Sequence, residues 1–133
     1  MVDYTDAYSG FSVDDIDAAR VFYGEVLGFP VEAGPMSGVL HMTLPSGQGV
    51  FIYGKPTHAP ATFTILNLVV DDIERAVDEL NAAGVVTKIY EGPDEYGTES
   101  YGTDARGISR SDEGPAIAWF RDPAGNVLSV VTG

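Results

Sequence analysis

The chain has 133 residues, no cysteine, and a formal charge of −13 from 20 acids against 7 lysines and arginines. One domain of this size buries a core without metals or crosslinks, and the missing cysteine removes disulfides, thiolate ligands and cysteine nucleophiles. So acidic a chain opposes nucleic acid and anionic lipid, which need a basic face. No stretch approaches the roughly 18 apolar residues of a spanning helix. The opening MVDYTDAYSG lacks the basic and then apolar layout of a signal peptide. The expectation is a cytoplasmic protein with neither nucleic-acid nor membrane partners.

Residues 4–13 read as a strand, after which Asp14 is placed to cap a helix, with Asp15 and Asp17 in its first turn. Ile16, Ala19, Phe22, Tyr23, Val26 and Leu27 fall at helical spacing as one apolar stripe, and Gly28 stops the helix as a left-handed cap. Strand candidates follow at residues 30–33, 39–44 and 50–53, the last two joined by the turn Pro45-Ser46-Gly47-Gln48. Residues 55–61, with two prolines and a lysine, read as a linker that leaves His58 in solvent.

A second series begins with a strand at residues 63–70. Its helix carries Ile73, Ala76, Val77, Leu80 and Ala83 inward and ends at Gly84. Residues 85–90 read as a strand, and residues 116–131 as a hairpin turning through Asp122-Pro123-Ala124-Gly125-Asn126. Between them, residues 91–114 have no sustained period and read as a flexible flap over a cleft, with Gly97 and Gly102 bracketing Tyr101 as a hinge.

The two series are copies. Val13-Asp14-Asp15-Ile16 returns 57 residues later as Val70-Asp71-Asp72-Ile73, in the same context. Module 1 covers about residues 4–54 and module 2 about residues 62–133 of one domain, 1–133. Residues 33–70 hold no acid while 13 acids lie from Asp71 to Asp122, so the middle of the chain reads as buried or subunit-facing, and a homodimer is expected.

With Phe22-Tyr23 through Leu27-Gly28-Phe29, and Trp119-Phe120-Arg121-Asp122-Pro123-Ala124-Gly125-Asn126-Val127-Leu128, this order resembles the vicinal oxygen chelate superfamily. That superfamily includes glyoxalase I, extradiol dioxygenases, and fosfomycin- and bleomycin-resistance proteins. The resemblance covers nearly the whole chain and implies an α+β fold: two tandem βαβββ modules forming a cup-shaped open barrel. In metal-dependent members, His, Gln or Glu on the first and last strand of each module hold a divalent ion. The matching positions here are Tyr8, Tyr53, Ile65 and Ser129, none a serviceable ligand for such an ion. His41 and His58 lack partners at ligand spacing. No metal and no cofactor are therefore expected.

Strand alternation on this fold puts Tyr8, Gly10 and Ser12 on one face, Ile65, Asn67 and Val69 on its counterpart, joined by Phe51, Tyr53 and Ser129. With His41, Tyr101 and Trp119 these form the expected ligand-binding set, an aromatic-lined wall for a small-molecule ligand. Trp119 is expected to pack beneath the wall, and Arg121, on the same side, either to reach an anionic ligand or, the favoured reading, to salt-bridge with one of the many acids. The resemblance implies bleomycin-resistance-like sequestration of an aromatic, cationic ligand, aided by Asp94, Glu95, Glu99, Asp104, Tyr96 and Tyr101 of the flap. Two alternatives stand beside it. One is a metal-independent lyase, isomerase or hydrolase using Tyr8, Tyr53 or His41 as acid or base, with no catalytic residue assigned. The other is a partner domain whose side chains fill the wall.

Overall fold

A computed structural model of the chain describes residues 1–93, 99–110 and 114–133. It divides into two compact units, Met1–Pro60 and Ala61–Gly133. Unit 1 runs β1 (Ser9–Val13), α1 (Ile16–Val21), β2 (Val31–Ala33), β3 (Val39–Thr43) and β4 (Gly49–Gly54). Its sheet has the order β1-β4-β3-β2, with β1 parallel to β4 and the other pairs antiparallel. Unit 2 repeats the plan: β5 (Thr64–Val70), α2 (Ile73–Ala82), β6 (Ile108–Ser109), β7 (Ile117–Arg121) and β8 (Val127–Thr132), in the order β5-β8-β7-β6. Two βαβββ modules with matching topology are what the repeat predicts.

The first helix starts one residue later than the sequence suggests. Asp15, not Asp14, is the cap of α1, its carboxylate accepting from the N–H groups of Asp17 and Ala18 at 3.1 Å. Asp72 does the same for Arg75 at the start of α2. Asp15 and Asp72 hold extended backbone, which aims the carboxylate at free amides of the first turn. Past Val21 the first helix widens into a π-helical turn, Phe22–Val26, with Leu27 N–H donating to Phe22 O at 2.9 Å. The extra residue lets neighbouring Phe22 and Tyr23 both go inward. Gly28 and Gly84 end the helices at φ of +80° and +86°, where a side chain is disfavoured.

One face of each sheet is covered by its own helix. In unit 1, Val13, Leu40, Met42, Val50 and Ile52 are buried with Ala19, Phe22 and Tyr23 of the helix. In unit 2, Ile108, Ala118, Phe120, Leu128 and Val130 pack with Ile73, Val77 and Leu80. Burying a side chain of this size contributes about 1.5–3 kcal/mol.

Two expectations change in unit 2. Residues 85–90 form no strand; β6, drawn from within residues 91–114, takes the sheet edge beside β7. Side chains hold the displaced stretch instead. Asn81 donates to Val85 O and Thr87 Oγ1, and Thr87 donates to Arg106 O at 2.7 Å. Gly107 lies so close to Thr87 O that a Cβ there would collide with backbone. Residues 99–110 carry a 3₁₀ turn, Glu99–Gly102, and β6. Asp94, Glu95, Tyr96 and Gly97 lie outside the described residues.

The hairpin turn is as read, and the structure shows what its motif holds. Asp122, buried, accepts from Asn126 N–H at 2.8 Å and from the Asn126 side-chain amide at 3.0 Å. Asn126 Oδ1 in turn accepts from Ala61 N–H at 2.9 Å, tying the start of unit 2 to its final hairpin. Asn126→Ala keeps its backbone N–H bond to Asp122 but removes both side-chain bonds, and should lower unfolding stability by about 2–3 kcal/mol, read from the urea midpoint at unchanged slope.

Candidate functional site

Unit 1 turns an aromatic face away from α1. The register sets Phe51 opposite Gly10 and His41, and Tyr53 opposite Ser12 and Val39. Tyr8, just before β1, reaches the same row: its ring lies 6.2 Å from Phe51, and Phe51 lies 5.6 Å from Tyr53. Gly10 contributes by absence, since a Cβ there would stand 3.1 Å from Phe51 O. Asp6, Tyr8, Val39, His41, Gly49 and Phe51 line a cavity of about 520 Å³ on this face.

His41 is half-exposed in that cavity, its Nδ1 3.9 Å from Glu32 Oε1 on the adjoining strand. Its other nitrogen lies over Gly49, where a side chain would strike it. Ser12 is held differently. Its hydroxyl hydrogen-bonds His58 Nδ1 at 2.6 Å, so His58 is half-buried against β1 and not left in solvent.

In unit 2, Asn67, Ser129 and Trp119 form one row across β5, β8 and β7, on the side away from α2. Ser129 is fully buried and donates to Asn67 Oδ1 at 2.6 Å. Ile65 sits at a bulge where pairing shifts between Thr64 and Leu66, so alternation does not carry its face over from Asn67. Trp119 does not pack beneath this face. It is half-buried on it, meeting Tyr90 edge-on at 5.3 Å and Tyr101 at 6.3 Å.

Tyr90 and Tyr101 stack flat, their centroids 3.9 Å apart at 9°. Tyr101 holds this pose at φ +54°, a strained conformation for a tyrosine and one that clusters at functional sites. The stretch behind it is tied down. Lys88 Nζ donates to Thr103 Oγ1 at 2.6 Å; Arg106 pairs with Asp78 and Glu74, and Arg110 with Glu74 and Asp104. Burial alone would raise the Asp104 pKa, but N–H bonds from Ile108 and Arg106 and the Arg110 charge outweigh it and depress it. Its contribution is thus present above the ordinary 3.8 and lost as pH falls through the depressed value. So engaged, Asp104 is not offered to a cationic guest.

One residue escaped the sequence reading, and another differs from it. Tyr90 was hidden in the stretch expected to be a strand. Arg121, expected to pair with an acid, shares the Trp119 face, is exposed, and forms no ion pair among the described residues.

The four positions corresponding to metal ligands do not fit a divalent ion. Ile65 has no donor atom, Ser129 is committed to Asn67, and Tyr8 and Tyr53 offer only phenols where carboxylate or imidazole is needed. Among the described residues no three of His, Cys, Asp and Glu converge as a metal site, and no helix is long and apolar enough to cross a membrane.

The model of the Glyoxalase/Bleomycin resistance protein/Dioxygenase superfamily matches residues 6–130. Among solved structures, the fold is similar to that of a glyoxalase family protein from Enterococcus faecalis (21% identity, 96% of each chain, TM-score 0.63). It is similar too to lactoylglutathione lyase from Agrobacterium tumefaciens (19% identity, 97% of this chain and 93% of that one, TM-score 0.64). TnmS3, an antibiotic binding protein from Streptomyces, matches at 24% identity over 96% of each chain, with a TM-score of 0.63. No curated protein matches the sequence.

Burial raises the Tyr90 pKa above the ordinary 10.0, Tyr101 adds to the rise, and the Arg121 charge opposes it. Because the folded chain holds this proton longer, the stabilisation is full below 10.0 and lost as pH rises through the raised value. Arg121→Gln should therefore move Tyr90 ionisation to still higher pH, seen as an alkaline shift in the tyrosinate absorbance that Tyr90→Phe abolishes.

Proposed function

The chain belongs to the Glyoxalase/Bleomycin resistance protein/Dioxygenase superfamily, and from that footing we propose that it binds a small aromatic molecule without metal or chemical step. The mode is sequestration of the bleomycin-resistance kind. The observation that carries this reading is the row Tyr8–Phe51–Tyr53 beside the cavity of unit 1, with the Asp6 carboxylate in the same lining. Aromatic faces hold a planar guest, and a nearby carboxylate favours a cationic one. The ligand-ion positions in the same fold are filled by side chains poor at coordination. That an antibiotic binding protein shares this fold supports the choice. We further propose a cytoplasmic homodimer, on the strength of Phe63, Val69 and Val86, each at least 65% exposed on unit 2.

Glu32 beside His41 favours a second reading, a metal-independent enzyme in which His41 moves a proton and Glu32 orients its ring. Mass spectrometry separates the two, since a binder releases its guest unchanged whereas an enzyme yields a product that His41→Gln abolishes.

Isothermal titration with a cationic glycopeptide drug such as bleomycin should give one site per chain. Phe51→Ala should weaken it roughly tenfold, the scale of one lost aromatic contact. Absence of heat at high micromolar drug defeats the drug assignment. Sedimentation equilibrium should return twice the chain mass of 14.1 kDa.

A further inference from the structure

Beside its aromatic groups the second unit sets an arginine where the first sets carboxylates. The chain has 20 acids and 7 lysines and arginines, so an exposed arginine has carboxylates in abundance to meet. Arg20, Arg75, Arg106 and Arg110 each do so. Among the described residues Arg121 does not, although it lies two residues from Trp119 on the same side of β7. An arginine's planar fork matches a carboxylate with two parallel hydrogen bonds.

Around it stand groups suited to the rest of such a ligand. Trp119, Tyr90 and Tyr101 form an aromatic corner, two rings stacked flat and the third edge-on to both. Tyr101 is kept there at a cost in backbone strain and by the ties of residues 103–110, which ordinary packing does not require. Ser129 donates to the carbonyl oxygen of Asn67, which turns the amide –NH₂ of this exposed residue outward as a further donor.

We propose that this face of unit 2 binds an aromatic carboxylate, its charge held by Arg121 and its ring set against Trp119, Tyr90 and Tyr101. Asn67 supplies a secondary hydrogen bond, and Ser129 is a positioning residue acting through Asn67. The site does not rest on the cavity of unit 1 or on a cationic guest there; either can fail without the other.

The single tryptophan gives one indole N–H resonance, a direct reporter of the corner. We would titrate the full chain with naphthoate, neutral naphthylmethanol and naphthylmethylammonium. Naphthoate should shift the Trp119 signal to saturation and bind roughly tenfold tighter than the alcohol, with the ammonium weakest. Arg121→Gln should reduce naphthoate to the affinity of the alcohol and leave the alcohol unchanged. Arg20→Gln, which removes the same charge from α1, should change neither. Equal affinity for all three probes, an unmoved Trp119 signal, or equal losses from both arginine variants overturns the proposal. Because Arg121 is exposed, its replacement leaves the fold intact, and the unshifted amide spectrum verifies this.

Discussion

Each module gives a four-stranded sheet a single helix. One helix covers one face, so the opposite face of each sheet finds no cover within its own module. A sheet needs two layers to bury both sides, and this shortfall is the constraint on which everything else in the molecule depends. It explains why the large aliphatic side chains gather on one side of each sheet while Tyr8, Phe51, Tyr53 and Trp119 gather on the other. Side chains that combine an apolar body with a polar tip tolerate a half-wet surface.

The two open faces have diverged under the same topology. That of unit 1 pairs its aromatic row with Asp6, Glu32 and His41, and that of unit 2 pairs its aromatic corner with Arg121 and Asn67. Duplication supplies the scaffold twice, and substitution at equivalent sheet positions supplies different chemistry.

Much of the fold was legible because it is written in local signals. The repeated Val-Asp-Asp-Ile marks both strand ends and both helix starts, Gly28 and Gly84 mark both stops, and Asp122 to Asn126 mark the final turn. The choice of the second aspartate as cap was not legible, since both residues are equally good caps by type and only backbone conformation decides. Nor was the exchange of residues 85–90 for β6 at the sheet edge. That outcome turns on Thr87 meeting Arg106 and Gly107 across 19 and 20 positions, contacts that no local period records. The candidate faces followed from alternation, which placed Phe51, Tyr53, Asn67 and Trp119 correctly relative to their helices. Alternation cannot carry a face across the bulge at Ile65, and it was silent on Tyr90 and on whether Arg121 has a partner.

The exchange at the edge of the second sheet has a consequence for how the chain keeps to itself. β6 spans two residues and is followed at once by Arg110, while its counterpart β2 spans three and carries Glu32 at its centre. Strands this short, studded with charge, offer a passing chain too few free amides and carbonyls to extend the ladder. Fibrillar stacking through these two outer rims is thereby discouraged.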